Sequence, residues 1–567
     1  MRRSEWCTWV CGMFLFCAVT AIASPAQTFT TLVRFDGQYT GNPQYGSLVQ
    51  GTDGNLYGTT SDYFTQRGFG TVFKMTPDGT HTTLHSFCAQ PDCPDGGYPY
   101  SGLVDGADGS FYGTTFQGGA NGNGTVFAIT PKGTLTTVYS FCSQPDCSDG
   151  GGPYAGLLRG TDGNFYGMTA LEGRGINFCA DSDCGTIFKI TPGGTLTTLY
   201  RFCNQTGCPD GAVPYGSLIQ GKDGNLYGTT YWGGTGTCTQ FPHYGCGTIF
   251  RITPQGHLAT MHSFNSQDGA HPIGALFQGR DGSLYGTTSY GGLYTYGGTI
   301  FRITPAGDLS TLYNFCSDFP TCATGTNPAG GLVQATDGKF YGTTKSTIFK
   351  ISPAGVLRKL HTFTFENGWV AEAALLQDTN GAFYGTARDG GKPGCDNGCG
   401  TVFGLDMGLG PFVAFVRDSG KVGGTGGILG QGFTGTSGVS LDGTPVNFTV
   451  VSDTFLKATV PDGATTGFVT VTTPSGTLTS NKPFRVRPQL LTFDPPSGPV
   501  GTQVTITGVS LTQTQGVGFG NRVPAQFTVN SDTKVTATVP AGAKTGKVGI
   551  ETKGGTAISS GTFTVTP

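Results

Sequence analysis

Short apolar runs separated by turn signals organise this chain. Near its start, Gly46-Ser47-Leu48-Val49-Gln50 leads into an Asp-Gly turn. Leu56-Tyr57-Gly58-Thr59-Thr60 follows, then a variable loop, Gly70 to Met75, a Pro-x-Gly turn, and Thr80 to Phe87. Four β-rich runs punctuated by Gly, Pro and Asp predict a four-stranded antiparallel meander.

The same phrase returns seven times, beginning at Asp53, Asp108, Asp162, Asp223, Asp281, Asp337 and Asn380, and its central tyrosines are Tyr57, Tyr112, Tyr166, Tyr227, Tyr285, Tyr341 and Tyr384. A repeat of 43 to 61 residues fits one blade of a β-propeller. The last repeat stops at Gly400 to Asp406 without a fourth strand, while an orphan copy of that strand, Thr28 to Phe35, precedes the first repeat. Docking the orphan onto the last repeat pairs two open edges. The expectation is all-β: a seven-bladed propeller over residues 28–406, closed by its N-terminal strand.

The recurring DGNLYGTT, GTVFKMTP and TLTTLYSF segments resemble the GloVer (Gloeo/Verruco) tandem repeat of exported bacterial proteins. That resemblance implies export and a propeller-like repeat, and supplies no catalytic residue or ligand. After Asp406 the cysteines and the phrase end. Ser419-Gly420, Ser452-Asp453 and Val460-Pro461 recur as Ser497-Gly498, Ser531-Asp532 and Val539-Pro540, so two β-rich units are expected, at 411–487 and 488–567. The second, with FDPPSGPVGTQVTITG from Phe493, looks like an IPT/TIG immunoglobulin-like domain; the first matches it more loosely. Such sandwiches serve as spacers or as binding modules.

Composition narrows the classes. With 97 Gly and 32 Pro in 567 residues the chain is turn-rich, yet 37% apolar residues and a net charge of −3 exclude disorder, and no basic run marks a nucleic-acid partner. Arg2 and Arg3 precede an apolar run from Trp9 that ends in Ala21-Ile22-Ala23, which reads as a signal peptide over residues 1–23. No membrane span and no cofactor are expected in the mature chain, which is read as a monomer. Fourteen of the 17 cysteines fall into close pairs: Cys88/Cys93, Cys142/Cys147, Cys179/Cys184, Cys203/Cys208, Cys238/Cys246, Cys316/Cys322 and Cys395/Cys399. In an exported chain these read as disulfide clips. Zinc would want converging pairs or a His pair, and only His243 lies within one.

Strand direction alternates in a meander, so the two short turns of each repeat share one face and the two variable loops share the other. The variable face carries every cysteine pair and many aromatics, including Tyr63, Phe64, Phe178, Phe241 and Tyr244. Tyr231, Trp232, Tyr290, Tyr294 and Trp369 break the repeat and are the candidates for stacking on a glycan or packing against a cell-surface protein. The recurrent rings of Pro99-Tyr100, Pro153-Tyr154 and Pro214-Tyr215 are expected to fill gaps between blades.

Catalysis finds less support. His85, His262 and His361 share a column with Tyr139, Tyr200 and Tyr313, and read as structural. The turn aspartates are expected to bond local backbone. A second series (Asp36, Asp95, Asp149, Asp210, Asp268 and Asn367) should cap loops, with a cation-attracting ring at the pore mouth as the other reading. Paired-carboxylate chemistry would draw on Glu172, Glu366 and Glu372. The first reading is a non-catalytic exported binding protein; its rivals are a polysaccharide lyase or hydrolase, and a structural envelope component.

Overall fold

In each repeat the second strand is buried along its whole length, as at Leu56–Thr60 and Phe111–Thr115. Burial of both faces requires a packed layer on either side, so the repeats stack as sheets. Gly58 permits the stacking: a Cβ there would sit 2.7 Å from both Leu48 Cδ2 and Phe73 Cζ. At the turn before this strand the Tyr57 hydroxyl donates to the Asp53 carboxylate at 2.8 Å. The bond recurs from Tyr112, Tyr166, Tyr227, Tyr285 and Tyr341 to the aspartate four residues earlier, and in the last repeat Asn380 Nδ2 donates to the Tyr384 hydroxyl. These aspartates do bond backbone N–H groups, as Asp53 does with Asn55, but they also tie the turn to the strand. A buried threonine pair, such as Thr60 and Thr71 at 2.9 Å, joins the second strand to the third.

This computed structural model describes residues 27–37, 41–61, 68–171, 185–239, 245–393, 395, 397–520 and 522–567. Within them, Thr28 to Asp406 forms seven four-stranded antiparallel sheets in a β-propeller-like arrangement. Six are sequential meanders. The seventh joins Leu376–Gln377, Phe383–Ala387 and Thr401–Asp406 to Thr28–Arg34, with Thr28 opposite Asp406 and Arg34 opposite Thr401. Phe29 stacks on His361 at 3.6 Å, and Val33 and Phe35 are buried. The core lies between neighbouring sheets: Tyr57, Val72 and Phe87 of the first pack on Leu103, Phe111, Phe127 and Ile129 of the second. Between the seventh sheet and the first, Gln50 Nε2 donates to Thr379 Oγ1 at 2.7 Å.

Two further units follow with the same strand order. Ala414–Phe415, Thr425–Leu429, Phe455–Thr459 and Asn447–Ser452 form one sheet, facing a second built from Gly438–Leu441, Thr444–Pro445, Val469–Thr473 and Gly476–Thr479. The pattern repeats strand for strand from Gln489 to Val565, including a short parallel pair in each unit. Each unit encloses its own apolar core.

The first of these units rests on the short-turn face of the repeat region. Thr454 Oγ1 donates to Thr52 O, Arg487 Nη1 to Thr161 O, Arg280 Nη2 to Asn481 O, and Gln431 Nε2 to Thr379 Oγ1, at 2.8–3.2 Å. Turns of the first, third, fifth and seventh repeats are thus engaged. The variable-loop face lies opposite.

Candidate binding site at the mouth of the central cavity

The residues before each first strand converge on a central cavity of about 210 Å³. They are small because seven backbones meet there; a Cβ on Gly216 would lie 2.8 Å from Gly274 O. Aligned by repeat, one column of this lining reads Tyr45, Tyr100, Tyr154, Tyr215, Ile273, Ala329 and Glu372. All but Tyr100 line the cavity, and Tyr100 is buried behind Tyr154, stacked on it at 4.9 Å.

From this column an arc of rings runs onto the variable loops. Tyr154 meets Tyr215 edge-on at 4.8 Å, Tyr215 meets Tyr231 at 5.0 Å, and Tyr231 meets Trp232 at 4.7 Å and His271 at 4.7 Å; His271 then reaches Tyr290 at 5.7 Å. Edge-to-face contacts at these spacings are favourable and fix ring orientation. Backbone bridges join Ala212 to Trp232 and Ala270 to Tyr290, and the Cys203–Cys208 clip packs in the cluster that holds Tyr154, Tyr215 and Trp232.

Burial governs the ionisation of these groups. It pushes the Tyr215 hydroxyl up to about 12 and lifts Tyr231 and Tyr290 as well, so all three are neutral donors at ordinary pH. It drives His271 down to about 4. A neutral imidazole beside the Tyr231 carbonyl, 3.0 Å from Nδ1, must carry its proton on Nδ1.

Glu372 is the one carboxylate in the cavity lining. Its Oε2 accepts from Arg388 Nη1 at 3.1 Å, and the same guanidinium holds Asp389 through Nε at 3.0 Å and Nη2 at 3.2 Å. Burial raises the Glu372 pKa against the pull of Arg388. Burial likewise lifts the Tyr45 hydroxyl well above its usual range, and the Glu372 charge adds to this. The site is therefore a bowl of neutral hydroxyls and ring faces with one acceptor-rich wall.

The sequence profile of the Gloeobacter/Verrucomicrobia repeat matches residues 17–241 and 146–346, more than half of the chain. The chain belongs to this repeat family. An IPT/TIG domain matches residues 488–566 of the repeat protein. Comparison with curated protein sequences finds no match. Solved structures similar to it include a streptogramin B lyase, 19% identical over 67% of this chain and 97% of that one, with a TM-score of 0.44. The extracellular domain of a putative one-component system from B. thetaiotaomicron is 11% identical over 81% of this chain and 57% of that one, at 0.43. A surface glycan-binding protein from Prevotella bryantii is 17% identical over 26% and 38%, at 0.21.

Tyr231, Trp232 and Tyr290 of the repeat protein stand in the arc. Tyr294 lies apart from it, its hydroxyl donating to Ser317 O, and Trp369 is half exposed and bridged through its backbone to Asp389. The Pro-Tyr rings do not all fill gaps between sheets: Tyr154 and Tyr215 line the cavity, because the residue after the proline starts the segment nearest the centre. Nor do four members of the second aspartate series ring the pore. Asp95, Asp149, Asp210 and Asp268 bond His85, Tyr139, Tyr200 and His262 of the fourth strand, which is the strand farthest from the cavity, and cap nearby loop N–H groups. Glu366 meets Arg34 through its carbonyl, at the outer strand rather than at the cavity.

Tyr45, His271 and Arg388 were not singled out from sequence. Six disulfides join the predicted pairs Cys88–Cys93, Cys142–Cys147, Cys203–Cys208, Cys238–Cys246, Cys316–Cys322 and Cys395–Cys399. Residues 1–23, Tyr63, Phe64, Glu172, Phe178, Cys179, Cys184, Phe241, His243 and Tyr244 lie outside the described residues. Among those described, no group of three or more His, Cys, Asp or Glu is arranged to hold a metal, and no helix is long and apolar enough to cross a membrane.

Proposed function

We propose that the repeat protein is exported, that its repeats form a closed seven-bladed propeller followed by two immunoglobulin-like units, and that it binds the end of a glycan chain at the mouth of the central cavity. The observation that carries this reading is the aromatic arc bordering the cavity. Ring faces pack against the apolar face of a sugar, while tyrosine hydroxyls and the Glu372 carboxylate supply the few placed polar groups a recognition site needs. A cavity of about 210 Å³ falls below the roughly 300–1,000 Å³ of drug-sized ligand sites. It suits one terminal sugar, with the following units lying on Tyr231, Trp232 and Tyr290.

Export is supported by six short disulfides, which persist in oxidising compartments. The contacts of the first C-terminal unit with four short turns support an arrangement in which ligand enters from the variable face. Two-carboxylate hydrolysis needs a second acid in the cleft, and Glu372 alone lines the cavity among the described residues.

The test is a glycan array probed with the full mature chain and with a Tyr231→Ala/Tyr290→Ala variant. A glycan bound by the first and at least tenfold more weakly by the second is expected. Absence of any bound glycan, or equal binding by the variant, overturns the proposal.

A further inference from the structure

The contact between the third repeat and the first C-terminal unit encloses a second cavity, of about 150 Å³. Arg159, Gly160 and Thr161 line it from one side, and Arg417, Asp418 and Lys482 from the other. Its charge is unbalanced. Asp418 is saturated by Lys482 Nζ at 3.1 Å and Arg485 Nη2 at 3.0 Å, which leaves Arg417 without an ion pair among the described residues. Outside the lining, Arg487 Nη1 donates to Thr161 O at 3.2 Å. The Nε atoms of Arg159 and Arg487 are both buried with no hydrogen-bond partner.

The remaining acids do not settle the imbalance. Arg159 meets Asp105 through the Asp105 carbonyl, at 3.3 Å, rather than through its carboxylate, and Asp108 is engaged by the Tyr112 hydroxyl and the Ser110 N–H. Burial lowers the pKa of both Arg159 and Arg487, and repulsion from Arg417 adds to it in each. Buried guanidinium N–H groups without acceptors are costly, and their planar forks match tetrahedral and planar oxyanions.

We propose that this junction cavity is a binding site for a small tetrahedral oxyanion, phosphate or sulfate, held by Arg159 and Arg417. The anion would tie the third repeat to the C-terminal unit. This site is separate from the glycan mouth and does not depend on that reading.

The experiment titrates the full mature chain with inorganic phosphate and with inorganic sulfate, against chloride at matched ionic strength, by calorimetry and by melting temperature. Saturable binding with a rise in melting temperature is expected, weakened at least tenfold in Arg417→Gln. No saturation in the wild type, or an unchanged affinity in the variant, overturns the proposal. A phosphate monoester of a sugar, titrated in parallel, distinguishes a free ion from an esterified one: tighter binding of the ester assigns the site to a chain-borne phosphate, and tighter binding of the inorganic ion assigns it to the free anion. Should Arg417→Gln fail to fold, crystals of the wild type soaked in selenate decide the matter. An anomalous peak between Arg159 and Arg417 supports the site, and its absence overturns it.

Discussion

Replacing Asp378 by Asn should stabilise the repeat region at neutral pH and lose that advantage in mild acid. The other six repeats carry Gly or Ala at this position: Gly51, Gly106, Gly160, Gly221, Gly279 and Ala335. Asp378 is fully buried; Oδ2 accepts from Asn380 N at 3.1 Å, and Oδ1 has no partner. Burial pushes its pKa from 3.8 up to about 6. A raised carboxyl binds its proton more tightly in the folded state, so its contribution is fully favourable below about pH 4 and is lost as pH rises through about 6. At roughly 1.4 kcal/mol per unit, a shift of about two units makes the ionised form cost up to about 3 kcal/mol at pH 7. Asn keeps one acceptor for Asn380 N–H, but its NH2 takes the place of the unpartnered oxygen and costs about 1–3 kcal/mol. The net gain at pH 7.5 is therefore about 0–2 kcal/mol, and the variant becomes the less stable protein at pH 4.5. Both tryptophans after the first 23 residues, Trp232 and Trp369, lie in the repeats, so denaturant unfolding followed by their fluorescence reads this region alone. The wild-type titration of Asp105, also raised to about 6 by burial, cancels in the difference. A difference between variant and wild type that does not change with pH would refute the reasoning.

Removing Thr28–Phe35 from the mature chain deletes the fourth strand of the last sheet together with buried Val33 and Phe35; truncating even one buried Phe costs about 3–5 kcal/mol, so the melting temperature of the repeats should fall sharply, and an unchanged value would sink the closure by pairing. Gly58→Ala forces a methyl against Leu48 and Phe73 and should cost about 1–3 kcal/mol, measured by the same fluorescence titration. For Asp418, burial raises the pKa but Lys482 and Arg485 outweigh it and hold the carboxyl well below the usual range. Its stabilisation is thus present above about pH 4 and lost as pH falls further. Asp418→Asn should cost about 1–3 kcal/mol at pH 7 and progressively less below pH 4, as followed by calorimetry.

The architecture was legible because each repeat states its rule several times. Tyr and Gly at fixed offsets in seven copies, with Asp before them in six and Asn380 in the last, mark a turn, a side-chain tie to the tyrosine hydroxyl and a close approach, and make the spacing unmistakable. Strand direction alone divided the connections into a uniform face and a variable one. Contacts between repeats were harder to read. Gln50, Gln220, Gln278, Gln334 and Gln377 recur before the turn, and their side-chain oxygens accept backbone N–H bonds from Thr379, Thr161, Lys222, Arg280 and Thr336 of neighbouring repeats. In sequence a Gln at that place is only a polar residue ending a short apolar run. Its partner is 41 to 329 residues away, and no local rule reaches that far. The contacts of Thr52, Thr161 and Thr379 with the C-terminal unit are illegible in sequence for the same reason, since each turn reads as closed by its own hairpin.

The site itself depends on departures from the repeat, and a departure is informative only once its column is known to face the cavity. In sequence Glu372 is one scarce acid among three, but its weight comes from occupying the column of Tyr45, Tyr154 and Tyr215. Arg388 occupies the column of Ser61, Phe116, Ala170, Tyr231, Ser289 and Lys345 at the start of the loop after the second strand. The seventh repeat therefore replaces an aromatic or apolar position with an acid, and pairs it with Arg388 from a column of mixed character, while the third to fifth repeats keep the rings that form the arc. A ligand that exploited only sevenfold character would meet the same chemistry from every side. Here one wall offers the Glu372 carboxylate, held by Arg388, and another offers ring faces, so a sugar bound as proposed would be driven to one orientation: hydroxyls toward Glu372, its apolar face toward Tyr215 and Tyr231. Exchanging Glu372 for Gln would keep the shape of that wall and remove its charge, leaving Arg388 to Asp389 alone. Ligands that donate hydrogen bonds to the carboxylate should then weaken selectively, while contacts with the rings persist.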